Sequence, residues 1–241
     1  MAKLASPQGA IRAVLISQVL LGAALVFLDL RGTPGEAAPG MFAPPAQGPS
    51  VRPYRPDLRP GEPGAPAMRP MPERLEFVAA DGSIDISGQI APGDADRFAA
   101  WLEQNRPEAS RVTLDSSGGS VSDALAIGRT IRGAGYVTEV QDGAVCMSAC
   151  PYLLAAGTER RVAPGGVVGV HQHYFGKNTM LPTFMAVNDL QRGQAGVMDY
   201  LTEMGVDLRL MSYAMRTPPD EINVLNADLM RELSLTTAPN A

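Results

Sequence analysis

The chain has 241 residues, 45% of them hydrophobic and 19% charged, with a formal net charge of −5; that suits one domain of about 100–200 residues with further segments attached. Twelve of the 21 prolines lie between Pro34 and Pro72, which excludes one continuous fold over the whole length. Charge divides at the same place, with +3 on residues 1–72 and −8 on residues 73–241, and an acidic main domain argues against a nucleic-acid partner.

At the N-terminus, Lys3 and Arg12 precede sixteen uncharged, mostly apolar residues, Ala13 to Leu28, closed by Asp29 and Arg31. The run is slightly short of the roughly 20 residues a spanning helix needs. Residues 1–31 are expected to form a signal anchor or transmembrane helix, with Lys3 and Arg12 inside and the rest exported. That places the chain at the inner (cytoplasmic) membrane as a single-pass protein with its C-terminal domain on the periplasmic side. A cleaved signal peptide and a soluble core helix are the alternatives; no clear Ala-x-Ala site follows directly, the nearest small residues lying around Glu36–Ala38. Residues 32–72 carry too little apolar surface to offset chain entropy and read as a Pro/Gly-rich, disordered, semi-extended tether. Its Arg52, Arg55, Arg59 and Arg69 read as solvated linker charges.

Residues 73–241 read as the folded domain. Strands are predicted at Leu75–Val78 and Ser83–Ile90, the second with Ile84, Ile86 and Ile90 at even spacing. A helix follows to Gln104, capped by Gly93 or Asp94, with Ala95, Phe98, Ala99 and Leu102 as its stripe. Arg111–Asp115 is a short strand, Ser116–Ser120 a turn, and a helix then carries Val121, Ala124, Leu125, Gly128 and Ile131 on one face. Next come a strand at Tyr136–Val140, a buried helix at Met147–Ala156, and strands at Arg160–Ala163 and Gly166–Gln172. Helices are predicted at Thr183–Met204, Leu208–Met215 and Ala227–Leu233, with a short strand at Ile222–Leu225. Strands alternating with helices predict an α/β fold with largely parallel pairing.

Four features carry residues suited to chemistry. Ser148, in Cys146-Met-Ser-Ala-Cys-Pro151, is placed near a helix start by Pro151, which a helix tolerates only in its first turn. There free amides favour negative charge, as an acyl-transfer nucleophile requires; a simple N-cap serine is the structural alternative. Ser116-Ser-Gly-Gly119 permits close backbone approach to a ligand, or makes only a tight turn. His171 and His173, the only two histidines, lie in a strand-like run and would share a face; either suits a general base. No third ligand accompanies the pair, so neither metal nor cofactor is expected. Cys146 and Cys150 read as a redox pair, a local disulfide or small core residues; bridging becomes feasible if Cys146 precedes the helix.

Taken in order, Leu114-Asp-Ser-Ser-Gly-Gly119, Cys146-Met-Ser-Ala-Cys150, Tyr152-Leu-Leu-Ala-Ala-Gly157 and His171-Gln172 resemble the Clp protease/crotonase superfamily, and most the proteolytic subunit of the Clp protease. The resembling segment runs from about Ser83 to Gln172, and the 29-residue separation of Gly119 and Ser148 fits the family pattern. The resemblance implies a fold of repeated β-β-α units and a serine endopeptidase, a hydrolase of peptide or protein substrates acting through an acyl-enzyme. It implies Ser148 as nucleophile, His171 as general base, the Gly119 and Ala149 N–H groups as oxyanion hole, and Gly118 as substrate-binding. It further implies a homo-oligomer, since the family assembles into rings. The third triad member should precede the Asn223–Leu235 element, which nominates Asp220, with Glu221 next to it. Ala149 stands where the family often has Met, Pro151 where it has a small residue, and two residues are missing before His171. The N-terminal tether resembles exported or membrane-bound relatives rather than the cytosolic subunit. A catalytically inactive Clp-like module for peptide binding or assembly is the alternative function.

Overall fold

The computed structural model describes residues 7–31, 51–53, 71–173 and 183–237. The chain divides into two compact units, Met1–Pro45 and Ala46–Ala241. The first holds helix α1 (Pro7–Arg31), on which Ile11, Leu15, Ile16, Val19 and Leu20 are each more than half exposed. Among the described residues, no helix is long and apolar enough to cross a membrane.

The second unit is mixed α/β. Its strands are β1 (Val51–Pro53), β2 (Glu76–Ala80), β3 (Ser83–Ile90), β4 (Arg111–Gly119), β5 (Val137–Val140), β6 (Val145–Met147), β7 (Arg160–Val162), β8 (Val167–Val170) and β9 (Glu221–Val224). Its helices are α2 (Asp94–Asn105), α3 (Val121–Gly133), α4 (Cys150–Ala155), α5 (Thr183–Glu203), α6 (Arg209–Arg216) and α7 (Ala227–Glu232). Five strand pairs are parallel: β3–β4, β4–β5, β4–β6, β5–β7 and β6–β8. The pairs β2–β3, β8–β9 and β1–β9 are antiparallel.

Strand β4 is where the sheet branches. Its first half, Arg111–Thr113, pairs with β5, and its second half turns to β6 at Ser116↔Cys146. The serine of the Ser-Ser-Gly-Gly segment thus sits beside the strand that leads to Ser148. The expected turn at Ser116–Ser120 is instead the end of β4, in register with β3 as far as Ile90↔Gly119. Pairing overrides local glycine preference here: after a register shift between Ser87 and Gln89, β3 pairs again with Gly118 and Gly119, while Ser116 pairs with β6.

Helix periodicity puts Ala124, Ile127, Gly128 and Ile131 of α3 into the core, at the spacing of one helix face. All six residues of α4 are buried, so this short helix is enclosed by core rather than laid on a surface. In α2, Phe98 and Asp94 are fully buried. The Asp94 carboxylate accepts the Leu75 N–H at 3.0 Å and the Ala91 N–H at 2.8 Å, and pairs with Arg74 at 2.9 Å and Arg97 at 2.6 Å. Gly93, not Asp94, is the helix cap, in the left-handed region at φ 85°. Burial would raise the Asp94 pKa, but the two amides and two guanidiniums hold it below the usual carboxylate range.

Most of the tether, including Arg55, Arg59 and Arg69, lies outside the described residues. Within residues 32–72, however, Val51–Pro53 forms β1, which covers the outer edge of β9 and includes Arg52. Met71 packs with Val145, Met147 and Ile222, and the Pro72 carbonyl accepts the Gln89 N–H at 2.9 Å. Ordered structure therefore begins upstream of Glu73. Proline does not forbid it, since an edge strand leaves alternate N–H groups unpaired.

Candidate active site

The segment expected as one helix from Met147 to Ala156 is instead strand, turn and helix. Strand β6 ends at Met147, Ser148 and Ala149 make the turn, and α4 begins at Cys150 with Pro151 in its first turn. Proline cannot donate an N–H and so fits that position but not a helix interior. Ser148 has φ 60°, a left-handed conformation rare for a residue with a Cβ. A sharp strand-to-helix turn with a serine at its apex lifts the hydroxyl clear of the strand. The Ser148 N–H donates to the Gly169 carbonyl at 2.9 Å, tying the turn to β8.

The Gly-Gly segment is packed directly under this turn. A Cβ on Gly118 would lie 2.5 Å from the Met147 carbonyl oxygen and from Ser148 Cβ, and 2.8 Å from Ala149 N. Gly118 also has φ 88°, so glycine is required there twice over. Its own N–H donates to Ser116 Oγ at 3.1 Å, while Gly119 is exposed at the strand end.

His171 and His173 lie just past the end of β8, so strand alternation does not govern them and they face different partners. His171 is buried to 7% exposure and its Nε2 lies 2.7 Å from Ser148 Oγ. Its Nδ1 lies 3.0 Å from the Pro219 carbonyl oxygen. A carbonyl can only accept, so Nδ1 carries the hydrogen. Nε2 is then the bare nitrogen, and the Ser148 hydroxyl donates to it. Burial is the largest influence on the His171 pKa and lowers it, against carbonyl contacts from Pro219 and Pro218 that raise it. The imidazole is therefore neutral at pH 7, as a base must be. The Gln172 N–H donates to the Thr217 carbonyl at 3.0 Å and holds the two segments together.

Asp220, nominated as third member, is exposed one residue beyond Pro219, and the group at Nδ1 is a main-chain carbonyl. The tight Pro218-Pro219 approach to β9 brings backbone rather than side chain to the imidazole. A carbonyl has no residue signature, so sequence reasoning could find the segment but not the atom.

Two further features flank the pair. His173 Nε2 lies 2.7 Å from Tyr152 Oη, and the buried Tyr152 main-chain carbonyl accepts from Tyr200 Oη at 2.7 Å. Burial pushes the Tyr152 phenol pKa up and the His173 pKa down. Cys146 and Cys150 form a disulfide with Cα atoms 5.0 Å apart, bracketing Ser148. The left-open choice resolves this way because Cys146 is in β6 and Cys150 opens α4, so the pair is not confined to one helix. Among the described residues, no group of three or more His, Cys, Asp or Glu side chains is placed to hold a metal ion.

No family model matches the chain, and no curated protein does. Among solved structures, it is similar to the crystal structure of a peptidase from Plasmodium falciparum, with 15% sequence identity and a TM-score of 0.49 over 65% of this chain and 93% of that one.

Proposed function

We propose that the chain is a Clp-like serine peptidase attached to a membrane, with its α/β unit outside the cytoplasm. The observation that carries the catalytic part is the 2.7 Å contact between Ser148 Oγ and His171 Nε2, made by a neutral imidazole whose tautomer is set from behind. In the reaction, His171 takes the hydroxyl proton as Ser148 Oγ attacks the scissile carbonyl, then returns it to the leaving amine. Water repeats the sequence on the acyl-enzyme. Gly119 and Ala149 N–H groups are the oxyanion donors in this reading, supported by the packing of the Gly118 backbone against the Ser148 turn. Gly118, buried against that turn, is the substrate-binding residue of the same proposal. Asp220 is not needed for this dyad. The Pro219 carbonyl orients His171 without the full negative charge that a carboxylate would offer to the imidazolium, which favours slow acylation.

Membrane attachment is supported by α1, whose apolar side chains at consecutive positions such as Leu15-Ile16 and Leu20-Leu21 cover all sides of the helix. One flat protein surface cannot bury all sides of a helix. The uncharged run of sixteen residues, Ala13 to Leu28, extends about 24 Å, so flanking residues must contribute to any span. Export is supported by the disulfide, since such bonds persist mainly in oxidising compartments. Peptide substrates and self-assembly belong to the same proposal.

A fluorophosphonate probe tests the chemistry. The wild-type chain is expected to label at one serine, and Ser148→Ala to lose the label while staying folded. A folded wild-type protein that takes no label overturns the peptidase reading in favour of a non-catalytic peptide-binding module.

A further inference from the structure

We infer that the Cys146–Cys150 disulfide is a positioning element for the nucleophile: it holds Ser148 in its left-handed turn opposite His171, and breaking it uncouples the two side chains. The inference rests on reading Ser148 as the nucleophile.

Beyond the Ser148 N–H bond to Gly169 O and the Gly118 backbone beneath it, the turn has few local restraints. Ala149, at the helix cap, offers no side-chain hydrogen bond to the first turn of α4. Pro151 has no N–H to add to that turn, and α4 is only six residues long. The Ser148 hydroxyl, which would be a natural cap, is directed to His171 instead. A helix start without a cap is poorly held, and a left-handed residue with a Cβ relaxes when released. The disulfide crosses this weak place, joining the strand two residues before Ser148 to the helix two residues after it. Both cysteines are fully buried, so they also anchor the turn to the core under β4.

Reduction is written with a small dithiol. One of its thiolates attacks a disulfide sulfur to give a mixed disulfide, and its second thiolate displaces the protein sulfur to close a cyclic disulfide. Two electrons pass from the dithiol to the protein, and two protons end on the Cys146 and Cys150 thiols.

The test uses the full chain in detergent, unfolded in denaturant with or without dithiol, refolded, and checked by thiol counting and circular dichroism. The reduced, refolded protein is expected to react with the fluorophosphonate at least tenfold more slowly than the oxidised one. The pH midpoint of labelling should stay unchanged, because the burial and the Pro219 carbonyl that set the His171 pKa are not part of the turn, and reoxidation should restore the rate. The double variant Cys146→Ala/Cys150→Ala should behave as the reduced chain does. Equal labelling of both forms overturns the inference, and so does failure of the reduced chain to refold, which would make the bond a staple of the whole domain. If the oxidised protein takes no label, the peptidase reading falls separately, and hydrogen exchange decides the inference. The Ser148 amide, bonded to Gly169 O at 2.9 Å, should then exchange at least tenfold faster on reduction while amides of β3 keep their protection. Unchanged exchange at Ser148 overturns it.

Discussion

At the scale of single residues, His171 joins protonation to both stability and chemistry. Its pKa lies below the ordinary imidazole value, chiefly because burial disfavours the charged ring. The unfolded chain binds a proton near pH 6.5 that the folded chain resists. The contribution to stability is therefore complete above that pH and is lost as pH falls through the lower, folded value. In the proposed reaction activity runs the same way, since only the neutral ring accepts the Ser148 proton. The rate of fluorophosphonate labelling against pH is expected to show an acid limb with its midpoint below 6.5. A midpoint above it would mean a carboxylate, not a carbonyl, backs the ring. The meeting of Ser148 and His171 was legible because Pro151 marks that serine at a helix start and the chain has only two histidines. The Pro219 carbonyl was not legible, since every residue carries one.

At the scale of elements, what the sequence hid was the position of breaks. The β3 isoleucines alternate cleanly and gave bounds that agree with the structure, Ser83–Ile90. Apart from Ser148, Cys146 to Ala156 carries no strongly polar residue, so periodicity cannot separate the strand from the helix, and the break falls at Ser148. Gly118 marks the same break from below. Gly118→Ala places a Cβ 2.5 Å from the Met147 carbonyl oxygen, an immovable backbone atom, at a φ of 88°. The turn must shift, and labelling is expected to fall at least 100-fold with a loss of roughly 2 kcal/mol in stability, read from urea unfolding. Full labelling would show that the Gly-Gly segment does not support the serine. Asp94 makes the complementary case away from the site. It ties Leu75 ahead of β2, Ala91 after β3 and Arg97 on α2 to one carboxylate with no exposure. Asp94→Asn leaves two guanidiniums without their counter-charge and is expected to cost about 3 kcal/mol in the same measurement, with the labelling rate of the folded fraction unchanged. The sequence marked Asp94 only as a possible cap, because long-range partners do not register in local pattern.

At the scale of the whole molecule, the chain divides into units between Pro45 and Ala46, whereas composition put the start of the folded domain at residue 73. The boundary was placed too late, because β1 and Met71 belong to the fold although they lie among prolines. Composition averages over a window and cannot see three residues that find a free sheet edge. In the proposed function the apolar sides of α1 argue for attachment and the oxidised Cys146–Cys150 pair argues for export, and the two are tested separately. The full chain is expected to sediment with membranes, to resist extraction by high salt and to be released by detergent. Its cysteines should be unreactive to a thiol probe under denaturing, non-reducing conditions. A chain lacking residues 1–31 should remain in the cytosol and present both thiols. If the truncated chain is as oxidised as the full one, the disulfide forms without export and the argument from it to location fails. If the full chain stays in the soluble fraction, α1 is not an anchor, and its apolar faces must be covered by a protein partner instead.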